Sequence, residues 1–279
     1  MRLAAQNYGK QRVRVLKVLR TGARHSVKEL EVGVRLEGDF ASSYTAADNG
    51  KVVATDTMKN VVQVLAHRHL EEETEPFALL VAEHFLARYD QIEKVTIETR
   101  ERRWVPLEID DRPHEHAFRG GEGTPVVRVV ARRDGAREIE SGMVDLLLLK
   151  STGSGFAGFP RCEHTTLPET DDRVLSTLVE ARWLHAERPE SFTVTNLAVV
   201  YAMLRVFATR YSPSVQATIA EMAEAAFAAA PGIDRIALSL PNKHYLPANL
   251  KPFGEDGSGV SFVPTDEPHG QIEAIFERS

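Results

Sequence analysis

The order of strand-like and helix-like segments is nearly the same in the two halves of this 279-residue chain. Residues 12–20 and 26–38 alternate apolar and polar side chains, which is typical of half-buried strands. Two helical patterns follow at 60–70 and 76–89, and a strand pattern returns at 94–110. A similar order follows in the second half. The repeat predicts an α+β fold, in which helices pack on one face of long antiparallel sheets.

The second half begins with a predicted hairpin. Residues 125–152 read as two long strands joined at Asp134-Gly135, a dipeptide typical of a hairpin turn. The patterns after it are helices at 170–185, 193–211 and 214–230, and strands at 233–246 and 260–278. We therefore place two repeated units at 1–137 and 138–279, each with the core order strand, strand, helix, helix, strand, strand.

Both units are expected to have open sheet edges. An unpaired edge strand exposes backbone N–H and C=O groups that can pair with another chain. Pairing of these edges between subunits would close the sheets into a barrel, with the helices on the outside. The pattern therefore predicts an oligomer.

The composition argues against several classes of protein. The net charge is −6 and both signs are mixed along the chain, so a nucleic-acid partner is not expected. The single cysteine, Cys162, excludes an intrachain disulfide framework and suits a reducing compartment. No apolar run approaches the roughly 20 residues that a membrane helix needs. Because the chain also shows neither a signal peptide nor a peroxisomal Ser-Lys-Leu ending, we expect a cytoplasmic protein.

The stretch VVATDTMKN, residues 52–60, ends a predicted strand and opens a helix. Thr55, Asp56 and Thr57 are residue types that cap the free N–H groups of a first helical turn. The same N–H groups can instead bind an anion. By spacing alone, the helix cap is the simpler interpretation.

Three further candidates each have a structural and a functional interpretation. Lys10 is a solvated charge beside a strand, or a base if it is desolvated. Arg173 pairs with a carboxylate such as Asp171, or binds a planar anion through its forked guanidinium. Gln216 is a first-turn residue of a helix capped by Ser214, or its amide reads the edge of a heterocycle.

The remaining candidates are the pair Asn242 and His244, the pair His114 and His116, and one aromatic residue. Asn242 and His244 are two residues apart on a predicted strand and so share a face. His114 and His116 share a face in the same way, but no third and fourth ligands are apparent, and no metal site is predicted. Phe156 is most simply a core or loop aromatic. The chain shows no glycine-rich nucleotide loop, paired-cysteine motif or serine-nucleophile motif.

Taken together, six segments of the chain resemble urate oxidases (uricases). They occur in the same order over nearly the whole chain and read NYGK, VVATDTMKN, LLLLKSTGSGF, RCEHTTLPETDDR, SPSVQAT and LPNKHYL. The resemblance implies two tunnelling-fold (T-fold) units per chain and a homotetramer with a central tunnel. It also implies oxidation of urate by O2 and water to 5-hydroxyisourate and H2O2, with no metal or organic cofactor. The ending without a peroxisomal signal favours a bacterial-type member.

The resemblance also assigns roles to individual residues. Arg173 and Gln216 are expected to hold the two ends of urate in its plane, and Phe156 to stack on its face. Val215 and Asp56 are expected to offer backbone groups at the ring edge.

Four more residues take roles in the same way. The resemblance places Leu167 next to the substrate and Asn242 above the ring, where it holds O2 or water. Lys10, Thr55 and His244 are expected to form a proton relay, and Thr55 also contacts the substrate. Lys10, Thr55 and Asp56 would come from the subunit that faces the one carrying the other site residues.

Two alternatives remain open at this point. One is another purine or pterin enzyme of the same fold, such as a cyclohydrolase or aldolase relative. A zinc-using cyclohydrolase would need a Cys and His ligand set that the sequence does not provide. The other is a non-catalytic purine-binding protein, which would need neither Lys10, Thr55 nor His244.

Overall fold

The computed structural model of the chain describes residues 1–20, 22–255 and 259–278. The chain divides into two compact units, Met1–Gly142 and Met143–Ser279. Both units combine antiparallel strands with a few helices, so the predicted α+β class is confirmed.

Unit 1 carries its helices between its second and third strands. Its elements are β1 (Tyr8–Arg20), β2 (His25–Gly38), α1 (Ala41–Thr45), α2 (Thr55–His69), α3 (Thr74–Arg88), β3 (Ile92–Arg102), β4 (Trp104–Ile109), β5 (Arg112–Gly120), β6 (Thr124–Arg132) and the start of β7 (Arg137–Lys150). The sheet has the order β1-β2-β3-β6, with the start of β7 beside β6, and β4 and β5 form a separate hairpin.

The core of unit 1 lies between the sheet and helices α2 and α3. Alternate residues of β2, among them Val32 and Val34, are fully buried, as the period of two predicts. They pack in one cluster with α2 and α3 side chains such as Met58, Val62 and Phe85. This burial fixes the register of β1 and β2, because a slip by one residue would expose the whole apolar face.

Unit 2 follows a similar plan. Its elements are the remainder of β7, β8 (Leu175–His185), α4 (Phe192–Thr209), α5 (Val215–Ala229), β9 (Ile233–Ser239), β10 (Asn242–Pro247), a 3₁₀ turn (Lys251–Phe253), β11 (Phe262–Gly270) and β12 (Glu273–Glu277). Strand β8 pairs with β10 near its start and with β9 further along. Strand β11 pairs with β10, and β12 pairs with β9.

The helix predicted at 170–185 is wrong, because this segment forms strand β8. Its apolar residues fit both a helical and an alternating spacing. Burial decides between them: Val179, Ala181 and Trp183 are buried in alternation with more exposed neighbours. The three side chains join the core formed with α4 and α5. Tertiary packing therefore overrides the local pattern.

The other predicted segments are correct in type but not in extent. The strand at 94–110 is interrupted at Arg103, and the last two predicted strands are each divided in two. The hairpin turn at Asp134-Gly135 is confirmed, and Gly135 has a φ of +98°, which favours glycine.

Helix α4 differs from the sequence-based expectation about membrane segments. It has 18 residues with a mean hydropathy of 1.4, so by length and composition it could cross a membrane. Only 22% of this segment is buried. Its buried side chains, including Val199 and Met203, pack in the core of unit 2. The opposite face exposes Val194, Leu197 and Tyr201.

Candidate functional site

Lys10 lies on strand β1 beside a β-bulge. Lys10 pairs with Val34, but the next pair in the ladder is Val13 with Val32, so β1 has one extra residue at this point. The backbone of Arg12 takes a positive φ of 60° within the bulge. Paired residues point to the same face of a sheet. Because Val34 is buried on the helix-covered face, the ammonium of Lys10 is directed towards the face on which α2 packs.

Thr55 and Asp56 occupy the first turn of helix α2, and the predicted side-chain cap is wrong. The N-cap is Ala54, which makes no side-chain hydrogen bond, and the helix begins at Thr55 rather than near Asn60. The first backbone bond of the helix runs from Met58 N to Ala54 O at 3.2 Å. The N–H groups of the first turn therefore have no intrahelical acceptor. Thr55 and Asp56 are both exposed, so these N–H groups remain accessible to an anion.

The Asp56 side chain folds back onto its own helix. Its carboxylate accepts hydrogen bonds from Lys59 Nζ and, at 3.0 Å, from Asn60 Nδ2. The Lys59 hydrogen bond is the main reason that the pKa of Asp56 is lowered, and the charge of Lys10 contributes less in the same direction. Lys10 therefore lies close enough to the start of α2 for its charge to act on Asp56. The structure brings Lys10, Thr55 and Asp56 together in unit 1.

In unit 2, two backbone bridges hold the loop after β7 against the start of α5. Phe156 N donates to Thr170 O at 2.7 Å and Thr170 N to Phe156 O at 3.0 Å. Gly155 N donates to Ser212 O at 2.8 Å, and Ser212 N to Gly153 O at 3.0 Å. The first bridge closes the loop 157–169. The second joins residues 153–155 to Ser212, which precedes α5.

Arg173 lies against Phe156. Its guanidinium carbon is 5.6 Å from the centre of the Phe156 ring, a cation–π distance. Its backbone N donates to Ser154 O at 2.7 Å. Burial lowers the pKa of Arg173, while Tyr211 opposes this effect. The Nε atom is buried and has no hydrogen-bond partner within the described residues.

The carboxylates near Arg173 in the sequence do not form an ion pair with it. Asp172 Oδ1 accepts from Thr152 Oγ1 at 2.8 Å and from Gly153 N at 2.9 Å. No ion pair joins Arg173 to Asp171 or to any other carboxylate in the part of the chain that the structure describes. A buried guanidinium N–H, such as that of Arg173 Nε, is costly without an acceptor. The arrangement therefore suits an anionic ligand.

Helix α5 presents Val215 and Gln216 in its first turn, as predicted. Ser214 is the N-cap, and its Oγ accepts from Ala217 N at 3.1 Å. This hydrogen bond leaves the N–H groups of Val215 and Gln216 without an intrahelical partner. Val215 is buried, so its side chain anchors the turn, whereas Gln216 is exposed and its amide can reach a ligand.

Asn242 and His244 lie on strand β10. Asn242 pairs with Thr177 of β8 and Gly270 of β11, and His244 pairs with Thr265. The β10–β11 register shifts between Asn242 and His244. Both side chains are partly buried, and both belong to unit 2.

The described contacts do not tie Leu167 to the other predicted site residues. It lies in the loop 157–169 and is 51% exposed. Its loop is closed at Phe156 and Thr170, so it is held near the site only through the backbone.

Sequence reasoning missed two residues that shape these clusters. The Tyr8 hydroxyl accepts a hydrogen bond from Val53 N at 2.8 Å. The Tyr211 hydroxyl donates to Asp171 O at 2.9 Å, and it leaves no room for a Cβ at Gly155. Tyr8 stands inside the NYGK segment and Tyr211 directly before SPSVQAT, so proximity to these motifs is a signal that could have found both.

Comparison with known proteins gives a consistent result. A protein-family model described as Uricase matches residues 6–130 and 139–273. The uricase of Arthrobacter globiformis is 40% identical over 276 residues, covering 99% of this chain and 90% of that protein. The uricase of Dictyostelium discoideum is 35% identical over 280 residues, covering 99% of this chain and 98% of that protein.

Solved structures agree with the sequence matches. The crystal structure of uricase from Arthrobacter globiformis superposes with a TM-score of 0.94 at 38% identity, covering all of this chain (100%) and 95% of that one. Urate oxidase from Bacillus sp. TB-90 superposes with a TM-score of 0.86 at 24% identity, covering 98% of this chain and 100% of that one. At that identity the second match shows the fold alone.

Proposed function

This chain belongs to the uricase family and is a urate oxidase, and we propose that the two clusters described above are the halves of its active site. The proposed reaction converts urate, O2 and water to 5-hydroxyisourate and H2O2 without a metal or an organic cofactor. Urate is an electron-rich anion, so a site that removes a further proton from it makes the substrate itself the reductant of O2. The protein then supplies position, electrostatics and proton transfer.

The observation that carries the proposal is the buried, unpaired Nε of Arg173 beside the Phe156 ring. A planar anion fits this pair, because the guanidinium can donate in the plane of the ligand while the ring stacks on its face. Gln216 would hold the opposite end of urate. The free N–H of Val215 would donate at the ring edge, with Leu167 packing beside it.

The chemistry would take place above the urate ring. Asn242 would hold O2 or a water there by hydrogen bonds. Lys10 would stabilise the deprotonated Thr55 oxygen or draw its proton, that oxygen would accept a proton from urate, and His244 would complete the relay. The free N–H of Asp56 would donate to the substrate edge. The exposure of Thr55 and Asp56 supports this role, because both are accessible to a ligand bound by another chain.

We propose that the two halves of each site come from facing subunits of a homotetramer. Within the described residues, β1 pairs only with β2, so the strand that carries Lys10 has a free edge for another chain. Apolar side chains on the strands of unit 2 are exposed: Leu147, Leu149, Leu246, Val263 and Ile275. Exposed apolar surface of this kind supports an oligomer.

We also propose an architecture for the oligomer and a cellular compartment for the protein. We propose two T-fold units, 1–137 and 138–279, that pair with those of a neighbour into a barrel with the helices outside. Support comes from the element order, since in both halves strands are followed by helices and then by further strands. The one cysteine supports a cytoplasmic location, because it suits a reducing compartment.

The test is peroxide formation by metal-stripped protein incubated with urate in air. Stoichiometric H2O2 with no added metal is the expected result. A dependence on added metal would overturn the cofactor-free proposal, and absence of peroxide would overturn the assignment of the site. Mixing Arg173→Ala and Lys10→Met variants tests the shared site, because hybrid oligomers would recover activity only if the halves come from different subunits.

A further inference from the structure

Tyr8 joins the two segments that carry Lys10 and Thr55. The Tyr8 hydroxyl accepts a hydrogen bond from the backbone N of Val53 at 2.8 Å. Tyr8 stands two residues before Lys10 on β1, and Val53 stands two residues before Thr55. One side-chain hydrogen bond thus connects the strand that carries Lys10 to the segment that leads into α2.

Burial holds the hydrogen bond between Val53 and Tyr8 in place. Val53 is 4% exposed, so a loss of the Tyr8 oxygen would leave a largely buried N–H without its acceptor. The Tyr8 ring packs edge-on against Phe40, with the ring centres 4.9 Å apart at an angle of 88°. Phe40 is fully buried. Both ends of the hydrogen bond are therefore fixed by the core of unit 1.

The backbone of β1 is also constrained between Tyr8 and Lys10. A Cβ at Gly9 would clash with Val34 O, so only glycine fits this close approach to β2. The bulge follows directly after Lys10. Strand β1 is thus held against β2 before Lys10 and is irregular after it. The Tyr8 hydroxyl connects this strand to the segment that leads into α2.

We propose that Tyr8 is a positioning residue that sets the separation of the Lys10 ammonium and the Thr55 hydroxyl for proton transfer. The inference rests on the proposed function of Lys10 and Thr55. Proton transfer requires heavy atoms within hydrogen-bond reach, and a displacement of about 1 Å can cost about 100-fold in rate. Tyr8 itself touches neither substrate nor the reacting atoms.

The test compares Tyr8→Phe with Tyr44→Phe. Tyr8→Phe keeps the ring and removes the acceptor, and we expect kcat to fall about tenfold while the KM for urate stays within about twofold. Tyr44 is a matched control, because its exposed hydroxyl makes a longer hydrogen bond, 3.4 Å, to Asn7 O. Its removal should leave both constants unchanged. Amide hydrogen exchange should accelerate at Val53 in Tyr8→Phe alone.

A double-mutant cycle separates positioning from general destabilisation. In a Lys10→Met background, Tyr8→Phe should have no further effect on kcat, because the group it positions is absent. An equal loss in both backgrounds, or an unchanged kcat in Tyr8→Phe, would overturn the positioning role and leave the relay intact. If Lys10→Met alone retains full turnover, the proposed proton relay is wrong, and the positioning role of Tyr8 is then wrong as well.

A second variant covers the case in which Tyr8→Phe does not fold. Phe40→Leu leaves the hydroxyl in place and loosens the ring that carries it. The expected result is a smaller fall in kcat at an unchanged KM. A normal kcat in a folded Phe40→Leu protein with accelerated exchange at Val53 would contradict the proposal.

Discussion

Arg173 places its guanidinium carbon 5.6 Å from the centre of the Phe156 ring and keeps its Nε buried without a partner. The cation–π contact is favourable, whereas the desolvated Nε–H costs free energy because it lacks an acceptor. Binding of a planar anion offsets this cost. The pair therefore combines charge, planarity and a stacking surface, the three properties that distinguish urate from most small anions.

Replacing Arg173 with lysine should weaken urate binding. Lysine keeps the positive charge but loses the planar fork, so we expect the KM for urate to rise about 10- to 100-fold, equivalent to about 1.5–3 kcal/mol for hydrogen bonds to a charged group. Arg161→Lys is a matched control: Arg161 lies 5.8 Å from the Phe159 ring on the same loop but is exposed. Steady-state kinetics with urate measures both. An unchanged KM in Arg173→Lys would contradict the assignment.

The two helix starts show what sequence reasoning can and cannot find. The Ser cap of α5 was predictable, because Ser214 is a strong N-cap residue directly before a helical pattern. The same rule failed at α2, where Thr55 and Asp56 lie inside the first turn and Ala54 takes the cap position. Local propensity favours a polar cap. Here α2 starts at Thr55, two residues after Val53, whose N–H donates to the Tyr8 hydroxyl.

Strand β8 is a segment whose local pattern predicts the wrong type of element. Its segment has an apolar spacing that fits a helix, and only its place beside β9 and β10 makes it a strand. The position of Arg173 near the start of this strand was predictable only as part of a motif. The motifs indicate which residues act, whereas the bulge after Lys10 and the bridge at Phe156 come from long-range pairing that no local pattern reports.

Lys10→Met should reduce turnover much more than binding. If Lys10 serves proton transfer, its loss should lower kcat about 100-fold or more, while the KM for urate changes by less than about threefold. Lys17→Met, further along β1, is a control that keeps the strand and removes one ammonium group. Comparable losses in kcat and in affinity would show instead that Lys10 holds the substrate.

Ser214→Ala should lower both the stability of α5 and the affinity for urate. The variant removes the hydrogen bond to Ala217 N, which should cost about 1 kcal/mol of unfolding free energy. Fraying of this turn would also disturb Val215 and Gln216, so we expect a higher KM for urate. Denaturant unfolding and steady-state kinetics measure the two effects.

The N-cap of α4 provides the control for that change. Ser191 Oγ accepts from Val194 N at 3.3 Å, so Ser191→Ala should lose a similar amount of stability. Because α4 carries none of the proposed site residues, the KM should not change. A rise in KM in both variants would indicate a general effect of destabilisation rather than a role for the first turn of α5.

Acid should destabilise the fold partly through His185. Burial lowers the pKa of His185 from 6.5 to about 4, with a small opposing effect of Asp234, and the ring packs edge-on against Phe192 at 5.0 Å. The unfolded chain therefore binds a proton more readily than the folded one. The contribution of His185 to stability is fully present above about pH 6.5 and is lost as the pH drops from there to about 4. Below about pH 4 this contribution changes no further. Since the ring is partly exposed, we expect His185 to contribute about 2 kcal/mol at most.

The measurement is urea unfolding at about pH 7.5 and about pH 5. His185→Gln should reduce the loss of stability between the two, whereas His164→Gln, at an exposed position, should not. Some dependence should remain, because burial lowers the pKa of His84 as well. A His185→Gln protein that loses as much stability in acid as the unaltered protein would show that His185 is protonated as easily in the folded state as in the unfolded chain, contrary to its burial against Phe192.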